Sequence, residues 1–166
     1  PTRRSSDLVS SGITSPTTSA LAIGDPRRVR DGMNYGVDFT GISEFVSNVG
    51  DNGYAISADE KMQLPAVDSV PKSFPAKLLV LLLRRFENGG APLLILPCEL
   101  VTNNGSALRK LLTDLSETWN LGHPFRHWLS NSVMICDTLV DRIVSEPIEP
   151  VGAIAEPYGL WVVRRE

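Results

Sequence analysis

Between Ser73 and Cys136 the chain alternates amphipathic helix with short, uninterrupted apolar runs, and this alternation limits the fold more than any other feature. Leu93–Leu96 (Leu-Leu-Ile-Leu) and Val133–Cys136 (Val-Met-Ile-Cys) have strand length and carry no polar face. A strand that is apolar throughout is expected in a parallel sheet with both faces covered. The helix before the first run starts at Ser73, a capping residue, with Pro75 in the first turn where a missing N–H costs nothing. Its apolar run reaches Phe86, with Lys77, Arg84 and Arg85 as the one wet stripe, and Asn88-Gly89-Gly90 stops it. The helix after the first run is expected to be capped by Asn104 and to bury Leu108, Leu111, Leu112, Leu115 and Trp119. Pro124–Asn131 reads as a further short helix. Strands joined by amphipathic helices make βαβ units, so the class is α/β with a mostly parallel sheet flanked by helices.

Outside that block the signals are shorter. Asp25-Pro26 starts a helix expected to run to about Asn34. Ile42–Ser47 reads as a strand running into the turn residues Asn48, Gly50, Asp51, Asn52 and Gly53. Ala55–Lys72 reads as an irregular connection, and Leu160–Val163 as a fourth strand. Val9–Ala22 is rich in Ser and Thr and reads as loop. Pro1–Leu8 resembles a translated short-read sequencing adapter, so residues 1–8 are expected to be a processing scar. Trp161–Glu166 stops inside an apolar run, and the natural chain is expected to extend past both ends.

Composition narrows the function. With 42% hydrophobic and 21% charged residues the chain has an ordinary globular make-up. A net charge of −3 offers no electrostatic attraction to nucleic acid or to an anionic membrane. The longest apolar stretch, Leu78–Leu83, is far short of the roughly 20 residues of a membrane span. Cys98 and Cys136 are too few for a disulfide scaffold or a Cys-rich metal site, so a reducing, cytoplasmic setting is expected. His123 and His127 have the spacing of half a metal site, but Pro124 lies between them and no third ligand follows, so no metal is expected.

In an open parallel sheet, ligands bind at the carboxyl ends of the strands. Here those ends carry Ser47-Asn48 with the loop to Gly53, Pro97-Cys98-Glu99, and Asp137-Thr138 leading to Asp141-Arg142. Small and polar residues at three strand ends suit a cofactor crevice. Ordinary turn chemistry accounts for them equally well.

Four motifs add to this reading: Ser73-Phe-Pro-Ala-Lys-Leu78; Pro97-Cys-Glu-Leu100 with Asn104-Gly105; Thr138-Leu-Val-Asp-Arg-Ile143; and Ala155-Glu-Pro-Tyr-Gly-Leu-Trp-Val162. In this order and spacing, from about Ile42 to Val163, they resemble the mannitol dehydrogenase family. The Ser-Phe-Pro-Ala-Lys and Pro-Cys-Glu-Leu forms tip the resemblance toward its tagaturonate/altronate branch. The resemblance implies a Rossmann-like domain that binds NAD(H), followed by a helical domain whose lysine acts as general acid/base, with a sugar acid or polyol as substrate. On that reading residues 9–155 are the latter part of the NAD-binding domain, a partial Rossmann-like sheet cut at both ends, and 156–166 begin the passage into the helical domain. The Gly-rich phosphate turn would lie upstream, since no G-x-G-x-x-G occurs here, and the lysine would lie beyond Glu166.

The chain alone is therefore expected to be inactive, and a sheet lacking its first strands to be loosely packed or poorly soluble. Cofactor contacts are expected from Ser47, Asn48, Cys98 and Glu99; the alternatives are turn chemistry for Ser47 and Asn48, packing for Cys98 and helix entry for Glu99. Asp137 is the candidate neighbour of the substrate oxygen, where relatives commonly carry Asn or Ser. An amide could donate a hydrogen bond there and an ionised carboxylate could not. Ile135 also departs from the family's usual Phe or Ser, and Asp141 and Arg142 are weighted toward anchoring a loop. Competing readings are a mannitol/fructose or fructuronate/mannonate enzyme of the same family, and a non-catalytic α/β module, whose direct support is Asp137.

Overall fold

The structure, a computed structural model, describes residues 33–34, 37–38, 41–49, 52–64 and 71–164. The expected scar at 1–8, the Ser/Thr-rich stretch 9–22 and the helix start at Asp25-Pro26 lie outside the described residues. In chain order the elements are β1 (Met33–Asn34), β2 (Val37–Asp38), β3 (Glu44–Ser47), α1 (Phe74–Glu87), β4 (Leu93–Pro97), α2 (Asn104–Thr118) and α3 (His123–Ser132). There follow β5 (Val133–Ile135), β6 (Asp137–Asp141), β7 (Val144–Pro147), β8 (Ala153–Ala155) and β9 (Leu160–Arg164). The helix expected to reach Asn34 does not, because β1 pairs antiparallel with β2 and Asn34 sits opposite Val37.

Strands β3, β4 and β5 form a parallel sheet in that order. Helix α1 connects the first pair and α2 with α3 the second, as parallel neighbours require. One face of the sheet presents Phe45, Leu93, Ile95, Val133 and Ile135 to Leu78, Leu79 and Leu82 of α1, Leu108, Leu112 and Leu115 of α2, and Phe125 and Leu129 of α3. The expected two-sided burial is not met among the described residues. Leu94 and Leu96 are only partly covered, and Val46 and Met134 on their flanks are 54% and 43% exposed. The helices stand on one face, and the other face is apolar and open. No helix among the described residues is long and apolar enough to cross a membrane.

Three local readings are corrected by tertiary contacts. Arg85, expected on the wet stripe, is 1% exposed: its Nε donates to Ala91 O at 2.7 Å, and its Nη2 to Ile42 O at 2.7 Å and Pro92 O at 2.8 Å. The turn through Gly89 (φ 108°) and Gly90 (φ 61°) reverses the chain and brings two of those carbonyls back onto the helix. Ser73 occupies the N-cap position without a side-chain cap. Instead the buried Glu60 carboxylate accepts the Lys72 and Ser73 N–H groups, and Glu60 O accepts Trp119 Nε1–H at 2.7 Å. The N-cap of α2 is Asn103, not Asn104, again without a side-chain cap.

The expected fourth strand exists as β9, but outside the parallel sheet. It pairs antiparallel with β6, and β7 pairs antiparallel with β8. No helix intervenes between β6 and β9, so the return is a ribbon rather than a crossover. These ribbons leave Leu139, Ile143, Val144, Trp161, Val162 and Val163 exposed.

Replacing Arg85 by Met leaves three backbone carbonyls without their donor, so Arg85→Met is expected to cost about 2–4 kcal/mol in urea unfolding. Arg84→Ala, which removes only an exposed pair with Glu87, is expected to stay within about 0.5 kcal/mol.

Candidate functional site

The carboxyl ends of the three parallel strands meet around one buried side chain. Asn104, 1% exposed, points its amide nitrogen at Pro97 O (2.9 Å), Glu99 O (3.1 Å) and Thr138 O (3.0 Å). Its Oδ1 accepts the N–H groups of Thr138 and Gly105, both at 2.8 Å. One amide thus ties the end of β4 to the start of β6. The Thr138 hydroxyl adds a bond to Pro97 O, and Cys98 N–H donates to Ser47 O at 2.7 Å, bringing in the end of β3. The next residue, Gly105, lies so close to the strand end that an added Cβ would stand 2.3 Å from Cys136 O. The three nearest atoms, Cys136 O, Cys136 C and Asp137 N, are all backbone and cannot move aside, so only glycine fits.

The expected cofactor-side residues come together at this joint. Ser47 is buried, and its hydroxyl has no hydrogen-bond partner among the described residues. Asn48 beside it is exposed. Burial raises the Cys98 thiol pKa, and its Sγ lies 3.8 Å from Leu96 O, so it is a neutral packing group. Glu99 is 4% exposed and, among the described residues, accepts two long hydrogen bonds, from Val49 N–H and Tyr54 O–H, each at 3.3 Å. The Tyr54 hydroxyl also reaches Asn104 O at 3.0 Å. Burial, reinforced by the Glu99 charge, pushes the Tyr54 pKa well up, so it remains a donor. Val49 also lines a cleft of about 480 Å³ between this loop and the start of α1.

Asp137 lies at the far end of the joint, and its carboxylate is fully engaged. Oδ1 accepts Ser106 N–H at 2.8 Å; Oδ2 accepts Ser106 O–H at 2.9 Å and Arg164 Nη2–H. Ser106 is the third residue of α2, so Asp137 caps from outside a helix whose own N-cap offers nothing. Burial works against the charge, but the Ser106 and Arg164 donors outweigh it and hold the carboxyl below the usual carboxylate range. Asp141 and Arg142 are exposed and stand apart from this joint, and Ile135 is buried in the core. His123 and His127 stack on the outer part of α3 with ring centroids 6.1 Å apart.

Tyr54, Ser106 and Arg164 had no sequence signal for these roles. Tyr54 falls between the turn that ends at Gly53 and the irregular connection that begins at Ala55, Ser106 lies in the first turn of a helix expected to be capped by Asn104, and Arg164 meets Asp137 only through the register of β9.

Gly105→Ala is expected to destabilise the fold by about 3 kcal/mol in urea unfolding. Because the Asp137 pKa is depressed on folding, its stabilisation is complete above the unfolded value of about 3.9 and is lost as pH falls through the folded value. Stability measured from pH 6 to pH 3 is expected to fall less steeply for Asp137→Asn than for the parent chain; parallel curves would exclude this role.

The mannitol dehydrogenase Rossmann domain family matches residues 22–166. Among curated proteins, the altronate oxidoreductase of Yersinia pestis is 45% identical over 97 residues, 55% of this chain and 20% of that protein. The chain spans about a fifth to a quarter of the length of the curated relatives it matches. Among solved structures, D-sorbitol dehydrogenase in substrate-free form superposes with a TM-score of 0.66 at 19% identity, covering 86% of this chain and 33% of that one. Pseudomonas fluorescens mannitol 2-dehydrogenase, in a ternary complex with NAD and D-mannitol, gives 0.63 at 16% identity, covering 82% and 31%. At such identities the likeness shows the fold, a partial Rossmann-like sheet. With the family match running through the strand-end motifs just described, the chain belongs to the mannitol dehydrogenase family.

Proposed function

We propose that the full-length protein is a cytoplasmic NAD(H)-dependent oxidoreductase that interconverts tagaturonate and altronate, and that residues 9–155 are the latter part of its nucleotide-binding domain. The observation that carries this reading is the 45% identity to an altronate oxidoreductase over 97 residues. In the reducing direction NADH supplies a hydride to the ketone carbon, and a proton completes the alcohol. The residues of this chain bind and orient. The buried, unpartnered Ser47 hydroxyl supports a cofactor contact, because a native buried hydroxyl ordinarily has a partner. Asn48 lies beside it on an exposed loop, and Cys98 and Glu99 continue the same rim one strand over.

Asp137 is a positioning residue in this reading. Ionised and holding three donors, it keeps α2 and β9 in place and offers no hydrogen to a substrate oxygen. Donors for the developing alkoxide, and the general acid/base, then belong to the helical domain, entered through residues 156–166. The exposure of Leu139, Val140, Trp161, Val162 and Val163 on the β6–β9 ribbon supports that division, since clustered exposed apolar side chains commonly mark a contact surface.

The test is NADH consumption by the full-length protein with tagaturonate, fructuronate and fructose in parallel. Preferential turnover of tagaturonate is expected. Preference for either other ketose would move the protein to another branch, and no turnover by folded protein would favour a non-catalytic module. Ser47→Ala is expected to raise KM for NADH about tenfold, the worth of one hydrogen bond, with little change in kcat.

A further inference from the structure

We propose that Arg164 recognises the carboxylate of the sugar-acid substrate, held at the carboxyl end of the parallel sheet by the buried Asp137. The inference rests on the sugar-acid reading above and assigns the residue that would enforce it. The register of β9 sets Arg164 directly opposite Asp137, the second residue past the end of β5. That is the strand-end region where an open parallel sheet receives its ligand.

The guanidinium is anchored and exposed at once. Nη2 donates to Asp137 Oδ2 and to Asn103 Oδ1 at 3.2 Å, while the Arg164 side chain remains 63% exposed against 8% for Asp137. No hydrogen bond is made by Nε or Nη1 among the described residues, so three N–H donors of the five remain available.

Asp137 spends its charge on the Ser106 N–H and hydroxyl at the amino end of α2 as well as on Arg164. The cation is shared with one buried carboxylate and one neutral amide, and it alone of the pair faces solvent. A surface arginine without such an anchor would have to give up side-chain freedom to bind. Here that freedom is already restricted, as a recognition site requires. A neutral polyol gains little from this cation, whereas a hexuronate gains a charge-assisted hydrogen bond.

The experiment compares the full-length parent protein with Arg164→Gln and Arg164→Lys, measuring KM for tagaturonate, KM for NADH and Tm. Loss of a charge-assisted hydrogen bond is expected to raise KM for tagaturonate roughly 10- to 100-fold in Arg164→Gln, with KM for NADH nearly unchanged and Tm lowered by no more than the loss of one Asp137 donor requires. Arg164→Lys, which retains the charge and the Asp137 contact, is expected to recover part of the loss. Altronate is expected to inhibit the parent more strongly than the matching neutral alditol, and Arg164→Gln to erase that difference. An unchanged KM for tagaturonate in an active parent background would overturn the inference and leave the proposed activity standing. A parallel shift in KM for NADH and Tm would reduce Arg164 to a staple for β9 and overturn it as well. If the folded parent turns over no uronate, the activity itself fails and the inference falls with it.

Discussion

The described fold depends most on the burial of the Asn104 side chain. A buried amide must find partners for both ends or cost several kcal/mol, and Asn104 finds them on two separate segments, Pro97–Glu99 and Thr138. By satisfying itself it fixes where β4 stops, where β6 begins and how closely α2 approaches them. Gly105 permits that approach, and Asp137 completes it by supplying the cap that the left-handed Asn103 does not. The three residues at the start of the helix, Asn-Gly-Ser, therefore act as one docking unit. Around it lie the Ser47 hydroxyl, which has no hydrogen-bond partner among the described residues, the buried Glu99 carboxylate and the exposed Arg164.

Two buried charges do comparable work farther away. Arg85 gathers carbonyls from the ends of loops that precede β3 and β4, and Glu60 gathers amides ahead of α1 while its own carbonyl holds Trp119. Arg85 is held in part by three backbone carbonyls, and Glu60 by backbone N–H groups together with the Ser57 hydroxyl. The arrangement suits a small one-sided core, because each such group orders two or three loop segments that hydrophobic packing does not reach. Burial raises the Glu60 pKa, but the Ser57, Ser73 and Lys72 donors outweigh it and keep the carboxylate below its ordinary range.

The α/β class, the parallel strands β3, β4 and β5, and most of the buried stripe of α2 were legible in the sequence, because each depends on short-range periodicity; Leu111 of that stripe is only partly buried. Leu108, Leu112, Leu115 and Trp119 recur at helical spacing whatever lies around them, and all four are buried. So was the place of Ser47, Asn48, Cys98 and Glu99 at the ends of β3 and β4, since the ends of apolar runs mark the carboxyl ends of strands. Arg85 was misread because a cation at helical spacing is normally wet, and only the reversal at Gly89-Gly90 creates an acceptor cage. Asn104 was misread as a cap because capping is the commonest local role of Asn, and its true partners are 34 residues downstream and at the preceding strand end.

The sequence by itself determined the three parallel strands, the three helices between Ser73 and Ser132 and the family, because hydrophobic period, turn residues and motif spacing are local properties that survive without a folded context. Only the tertiary structure decided what the polar residues do. It made Asp137 an external cap, left Ser47 without a partner and set Arg164 against Asp137 through strand register. The physical reason is that a polar side chain is committed by whichever donors and acceptors surround it after burial, and those come from segments remote in the chain.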